Sequence, residues 1–193
     1  MSQDAGAEAR ARAREYLKIR GTLAPLAVIR ERIADAFGAL DAFLEPLSAA
    51  QAARAAIPGE WTIQEIVDHL VETHRPGLDE LRCLLAGRRP PGEPIPAGLQ
   101  SKAPLLRPWR GLLDELRRVH DGILGALADA STDFTTGARA PLVMVVNVKD
   151  AGGRPAPLHW VEDLDWKAYA IVWRLHVVDH LHQARKVLAA MGA

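Results

Sequence analysis

The 193-residue chain has one cysteine, Cys83, no excess of either charge and no long apolar run. A single cysteine excludes an intramolecular disulfide and any cluster of thiolate ligands, which fits a reducing compartment and leaves a metal site to be built from other side chains. Lys plus Arg and Asp plus Glu both total 24, so no electrostatic footprint points to nucleic acid or to an acidic membrane surface. No segment approaches the roughly 20 consecutive apolar residues that cross a bilayer. The N-terminal "MSQDAGAEARARAREYLKIR" scatters charges where a signal peptide has its apolar core. The expectation is a soluble, cytoplasmic protein. The sequence also lacks an internal repeat, a glycine-rich phosphate loop and a motif around a serine or cysteine nucleophile.

What is present is helical. A hydrophobic content of 49% is enough for one sizeable core in a chain of this length. Residues 23–47 place Leu26, Ile29, Ile33, Phe37, Leu40 and Leu44 three or four apart, the spacing of one helical face. A second helix is predicted from Trp61 to Gly87, with Thr62 and Glu65 as a capping box and Pro76 as a kink. The proline- and glycine-rich stretch 88–104 reads as a surface loop with room to act as a lid. A third helix over 107–131 repeats the spacing through Leu112, Leu116, Val119, Ile123 and Leu127. Residues 142–163 are β-branched on both sides of a central "DAGG" and predict a β-hairpin. A fourth helix follows over 165–192, with Asp165 as N-cap. Four long helices and one inserted hairpin describe an all-α four-helix bundle with a β-hairpin before the last helix.

The last helix raises a chemical question, because "RLHVVDHLHQARKVL" (174–188) carries three histidines. At about 100° per residue, His176 and His180 share the side of Trp173, Val177, Ala184 and Val187, whereas His182 falls on the solvent side. Residues four apart lie about 6 Å apart along the axis, so two imidazoles can converge on one ion, and neutral imidazole suits zinc, nickel, copper or iron. The competing reading is two core histidines that only pack. A metal needs a further ligand from a facing helix. His69 flanks the apolar face of the second helix, and His74 is turned about 140° away from it. His120, beside the stripe of the third helix, and His159, in the hairpin, are the other candidates. Glu65 and Glu72 stand at positions from which they could orient His69. Asp68 and Asp179, each directly before a candidate ligand, are expected at the surface.

Cys83 is on nearly the same helical face as His69 but about 21 Å along the axis, and it reads as a buried small hydrophobe. Of Trp61, Trp109, Trp160, Trp166 and Trp173, at least three are expected to serve packing rather than a pocket. "HVVDH" has the frame of a zinc peptidase helix without its glutamate in either orientation, which argues against that chemistry.

"EWTIQEIVDHL" followed, one long helix later, by "HVVDHLHQARKVL" resembles the DinB-like superfamily, and the likeness covers most of the chain from about residue 23. The family includes stress-induced bacterial proteins and thiol-dependent transferases. The resemblance implies a DinB-like bundle domain over 23–193 preceded by a helical extension over 1–22, a homodimer, and a divalent metal, zinc or nickel, on His69, His176 and His180. It further implies a small-molecule substrate, with a low-molecular-weight thiol as a candidate. An ion on three neutral imidazoles keeps open positions and can generate a nucleophile from water or thiol near pH 7. The expected function is therefore a metal-dependent transferase or hydrolase; the alternative is a non-catalytic, dimeric, stress-related binding bundle without a functional metal. The long hairpin and the extension depart from the family pattern and are expected to reshape access to the site.

Overall fold

Thr62 starts the helix that carries most of the architecture. Its hydroxyl accepts from the Glu65 amide, and the Glu65 carboxylate accepts from the Thr62 amide at 2.7 Å, the predicted capping box. In the computed structural model, which describes residues 3–149 and 152–192, the elements in chain order are α1 (Gln3–Leu17), α2 (Leu26–Leu44), α3 (Ala49–Ala52), α4 (Ile63–Leu85), α5 (Trp109–Asp129), β1 (Ala140–Lys149), β2 (Pro155–Leu164) and α6 (Trp166–Ala190). Pro76 lies inside α4 without ending it. Asp165 caps α6 by accepting from the amides of Lys167 and Ala168.

The four long helices α2, α4, α5 and α6 form the bundle: α2 packs on α6 and α5, and α4 packs on α5 and α6. Their predicted apolar stripes meet in one core, where Ile29, Ile33, Leu70, Leu116, Ile123 and Val177 are fully buried. The strands pair antiparallel from Ala140 opposite Leu164 to Lys149 opposite Pro155. Of the predicted "DAGG" turn, Asp150 and Ala151 lie outside the described residues, and Gly153 takes the left-handed conformation, with φ +77°, that a side chain would disfavour. Helix α1 stands outside the bundle against β1 and α6, where Ala9 packs with Val148 and Leu158.

A short π-helical turn, Lys18–Thr22, brings the chain from α1 into α2 across the start of α6. Gly21 makes this possible: a Cβ there would stand 2.6 Å from the Ala168 Cα. Because that neighbour is backbone, it cannot rotate away. Gly21→Ala is expected to cost about 1–3 kcal/mol through overpacking. Gly38→Ala, at an exposed α2 position with nothing within 4 Å of the new carbon, is expected to gain about 0.5–1 kcal/mol from helix propensity. Urea midpoints for the two variants should move in opposite directions at constant m-value.

Candidate metal centre

Helices α4 and α6 are neighbours in the bundle, and their contact brings His69 to His176 and His180. The His69 Nε2 lies 3.0 Å from the His176 Nε2, which lies 3.1 Å from the His180 Nε2. All three nitrogens fall within 4.8 Å of one another. His69 is 1% exposed and His180 9%. Trp61, directly before the α4 cap, covers the cluster, its ring tilted at 5.0 Å from His69 and stacked at 6.1 Å on His180.

In His69 and His180 the second ring nitrogen fixes the tautomer. The Leu99 carbonyl, 2.7 Å from the His69 Nδ1, can only accept, so that nitrogen carries the proton and the Nε2 keeps its lone pair. The Gln183 side-chain oxygen does the same for the His180 Nδ1 at 2.9 Å. Burial also keeps the rings neutral. Desolvation, with the neighbouring His180, pushes His69 down to about 4 against the opposing pull of the Leu99 carbonyl and Asp68. His176 is driven well below its ordinary range by desolvation and then by His180, His74 and His69, and His180 is lowered by desolvation.

These residues fit a divalent ion. Nitrogens bound to one ion at about 2.0–2.1 Å lie about 3–3.4 Å apart, close to the 3.0 and 3.1 Å found around His176; the His69 and His180 nitrogens, within 4.8 Å, would draw closer on an ion, and neutral imidazole is the ligand form.

Several expectations need correction. Glu65 and Glu72 do not orient His69: Glu65 is committed to the cap, and Glu72 pairs with Arg107 and Arg75. The partner is instead a backbone carbonyl of the 88–104 loop. That loop is a fastened strap rather than a free lid. The Gln100 side chain donates to the Glu65 carbonyl, the Ser101 amide donates to Asp68, and Gln64 donates to the carbonyls of Pro104 and Arg107. Asp68, expected at the surface, has a fully buried side chain because the strap and Arg107 cover it. Asp179 is exposed, as expected. Cys83 is half-buried rather than buried. His159 and His182 are exposed. Neither His120 nor His74 joins the three convergent nitrogens; both stand behind them, the His74 Nε2 at 3.0 Å from the His176 Nδ1 and the His120 Nε2 at 3.2 Å from the His74 Nδ1. His74 is turned away from His69 on their shared helix and reaches the cluster through His176 of α6, a contact no same-helix angle shows.

Two cavities reach the cluster. A small one of about 90 Å³ lies beneath Ile95, Pro96 and Leu142, with Trp173 and His176 in its wall. A cleft of about 840 Å³ between α1, β1 and α6 has Tyr16, Val143, Leu175, His176 and His180 among its lining. Trp109 and Trp166 are core residues, and Trp160 packs in the hairpin with its indole donating to Glu162, so three of the five tryptophans serve packing.

Fold and cluster together define a four-helix bundle whose interior histidines could bind a metal. The chain belongs to the DinB superfamily, whose sequence model matches residues 32–161. That match contains His69 and ends before α6, so the placement of His176 and His180 rests on the structure. Among solved structures, the chain is similar to YfiT from Bacillus subtilis, described as "a probable metal-dependent hydrolase with an unusual four-helix bundle topology", with a TM-score of 0.59 over 86% of this chain and 87% of that one. At 19% identity the likeness is one of fold. No curated protein matches the chain. Among the described residues, no helix is long and apolar enough to cross a membrane.

Proposed function

We propose that the protein is a divalent-metal-dependent hydrolase of a small molecule, with His69, His176 and His180 as ligands and zinc or nickel as the ion. The observation that carries this reading is the convergence of three neutral ring nitrogens, two of them held as lone-pair donors by Leu99 and Gln183. A bound ion would supply Lewis acidity and a lowered pKa for coordinated water or thiol. The chain's own residues do the rest: Trp61 shields the rings from bulk water, and the cleft, within the ~300–1,000 Å³ usual for small-molecule sites, receives the substrate beside His176 and His180. The description of YfiT as a probable metal-dependent hydrolase supports the same chemistry.

Thiol transfer is the second reading. Cys83 is about 21 Å along α4 from His69, so the thiol would come from solution, and a cleft of about 840 Å³ has room for it beside an electrophile.

Elemental analysis of untagged protein beside a His176→Ala, His180→Ala variant tests the site. Near-stoichiometric metal in the native protein and none in the variant is expected, whereas equal occupancy in both would overturn it. Metal-dependent turnover of an ester and amide panel, compared with metal-dependent loss of an added thiol, separates the two reactions.

A further inference from the structure

Behind His176 the bundle holds two histidines that neither reaction uses. His74 is 1% exposed and His120 2%, and both rings are pushed far toward neutrality by desolvation. They continue the line of rings inward, from the His176 Nδ1 through His74 to the His120 Nε2. Phe37 stacks flat on His120 at 3.6 Å, which fixes the last ring. The chain ends at the His120 Nδ1, which is buried and has no hydrogen-bond partner among the described residues.

A neutral imidazole carries one N–H, so three rings joined by two hydrogen bonds have two consistent directions. In the outward direction, His120 donates through Nε2 to the His74 Nδ1, His74 donates through Nε2 to the His176 Nδ1, and His176 presents an Nε2 proton to the cluster. The lone pairs of His69 and His180 at 3.0 and 3.1 Å favour that arrangement. A metal on the His176 Nε2 forbids it, because that nitrogen must then offer a lone pair. His176 must carry its proton on Nδ1 and donate to His74, which in turn donates through Nδ1 to His120.

Resting on the proposed metal site, we infer that His74 and His120 are positioning residues for His176, and that metal binding reverses the direction of the whole three-histidine chain. The protons balance. One leaves the His176 Nε2, two pass between rings, and one is taken from solvent during local opening at the His120 Nδ1, so each ring stays neutral. Metal occupancy on α6 is thereby reported on α5 at a nitrogen with no acceptor among the described residues.

The test uses the full chain, with zinc as the probe and two readouts. Long-range nitrogen–proton NMR of histidine-labelled protein should show His74 and His120 protonated at Nε2 after chelation and at Nδ1 after one equivalent of zinc. Zinc affinity from chelator competition should fall about 10–100-fold in His74→Leu, the range for loss of a partner behind a metal ligand, and recover in part in His74→Gln, whose side-chain oxygen can accept from His176. If zinc binds through His69, His176 and His180 while the His74 and His120 tautomers stay unchanged, the inference fails and the metal site stands. If zinc does not bind the three histidines at all, both fail together. The NMR readout on the native chain decides the matter even should His74→Leu not fold.

Discussion

Chelator-treated protein is expected to unfold in acid well above the pH at which an ordinary carboxylate network would fail. The cause is the buried histidines. In the unfolded chain each takes up a proton near its ordinary value of 6.5, whereas in the fold His69 resists until about 4 and His120 until about 3, desolvation being the leading cause in both. Below 6.5 the unfolded state therefore binds more protons, and stability falls with pH until the folded rings also titrate. At about 1.4 kcal/mol per pH unit for each group, His69 and His120 together remove about 4 kcal/mol between pH 7 and pH 5. His74, His176 and His180 are shifted in the same direction and add to the loss. A typical domain has about 5–15 kcal/mol in total. Loss of far-UV circular dichroism centred between pH 5 and 4 is expected, with His120→Leu shifting it to lower pH. Native ellipticity retained at pH 3.5 would contradict the account. Excess zinc should protect in proportion to its binding, since a ligand of the native state stabilises it.

Arg107→Met is expected to be the most damaging single substitution outside the apolar core. The guanidinium reaches three carboxylates, at 2.6 Å from Asp68, 3.0 Å from Glu72 and 2.7 Å from Glu115. Glu72 and Glu115 can turn to water or to Arg75, which already pairs with both. Asp68 cannot: its side chain is wholly buried, and without Arg107 its only other hydrogen-bond partner among the described residues is the Ser101 amide at 2.8 Å. Removing one partner of a buried ion pair costs about 3–5 kcal/mol. Arg107 keeps 19% of its side chain exposed, so a loss near the lower figure, about 3 kcal/mol, is expected. Asp68→Asn, Arg107→Met should recover part of it, because the uncompensated charge is then gone. The same substitution loosens the strap over His69, so hydrogen exchange at Ser101 should accelerate by more than the global change requires. An unfolding midpoint within experimental error of the native value would refute this role for Arg107.

Much of the fold is legible in the sequence. The four helices were legible because each keeps apolar residues three or four apart, and the start of α4 because Thr62 and Glu65 form a local, sequence-encoded cap. The pairing of His176 with His180 was legible for the same local reason. His69 was not singled out by its own pattern; the family resemblance selected it from several candidates, and the packing of α4 on α6 places its nitrogen beside theirs. The environment of the site was harder. Angular reasoning correctly turned Asp68 away from His69, yet a helical angle does not say what covers the other face, and here Arg107 and the strap do. Leu99 acts through its carbonyl, a group every residue possesses, so no side-chain pattern could mark it. His74 meets His176 across 102 positions of chain, a contact that only the packing of α6 creates.

The 107 positions between His69 and His176 also set a timetable for biosynthesis. Helix α6 leaves the ribosome after α2 and α4, and the inner faces of those two helices stay uncovered until it docks. A nascent chain short of α6 has one histidine of the three and no chelating grip on an ion. On the reading proposed here, metal cannot be captured by a polypeptide that has not yet reached α6, and an occupied site certifies that α6 has been made and has docked.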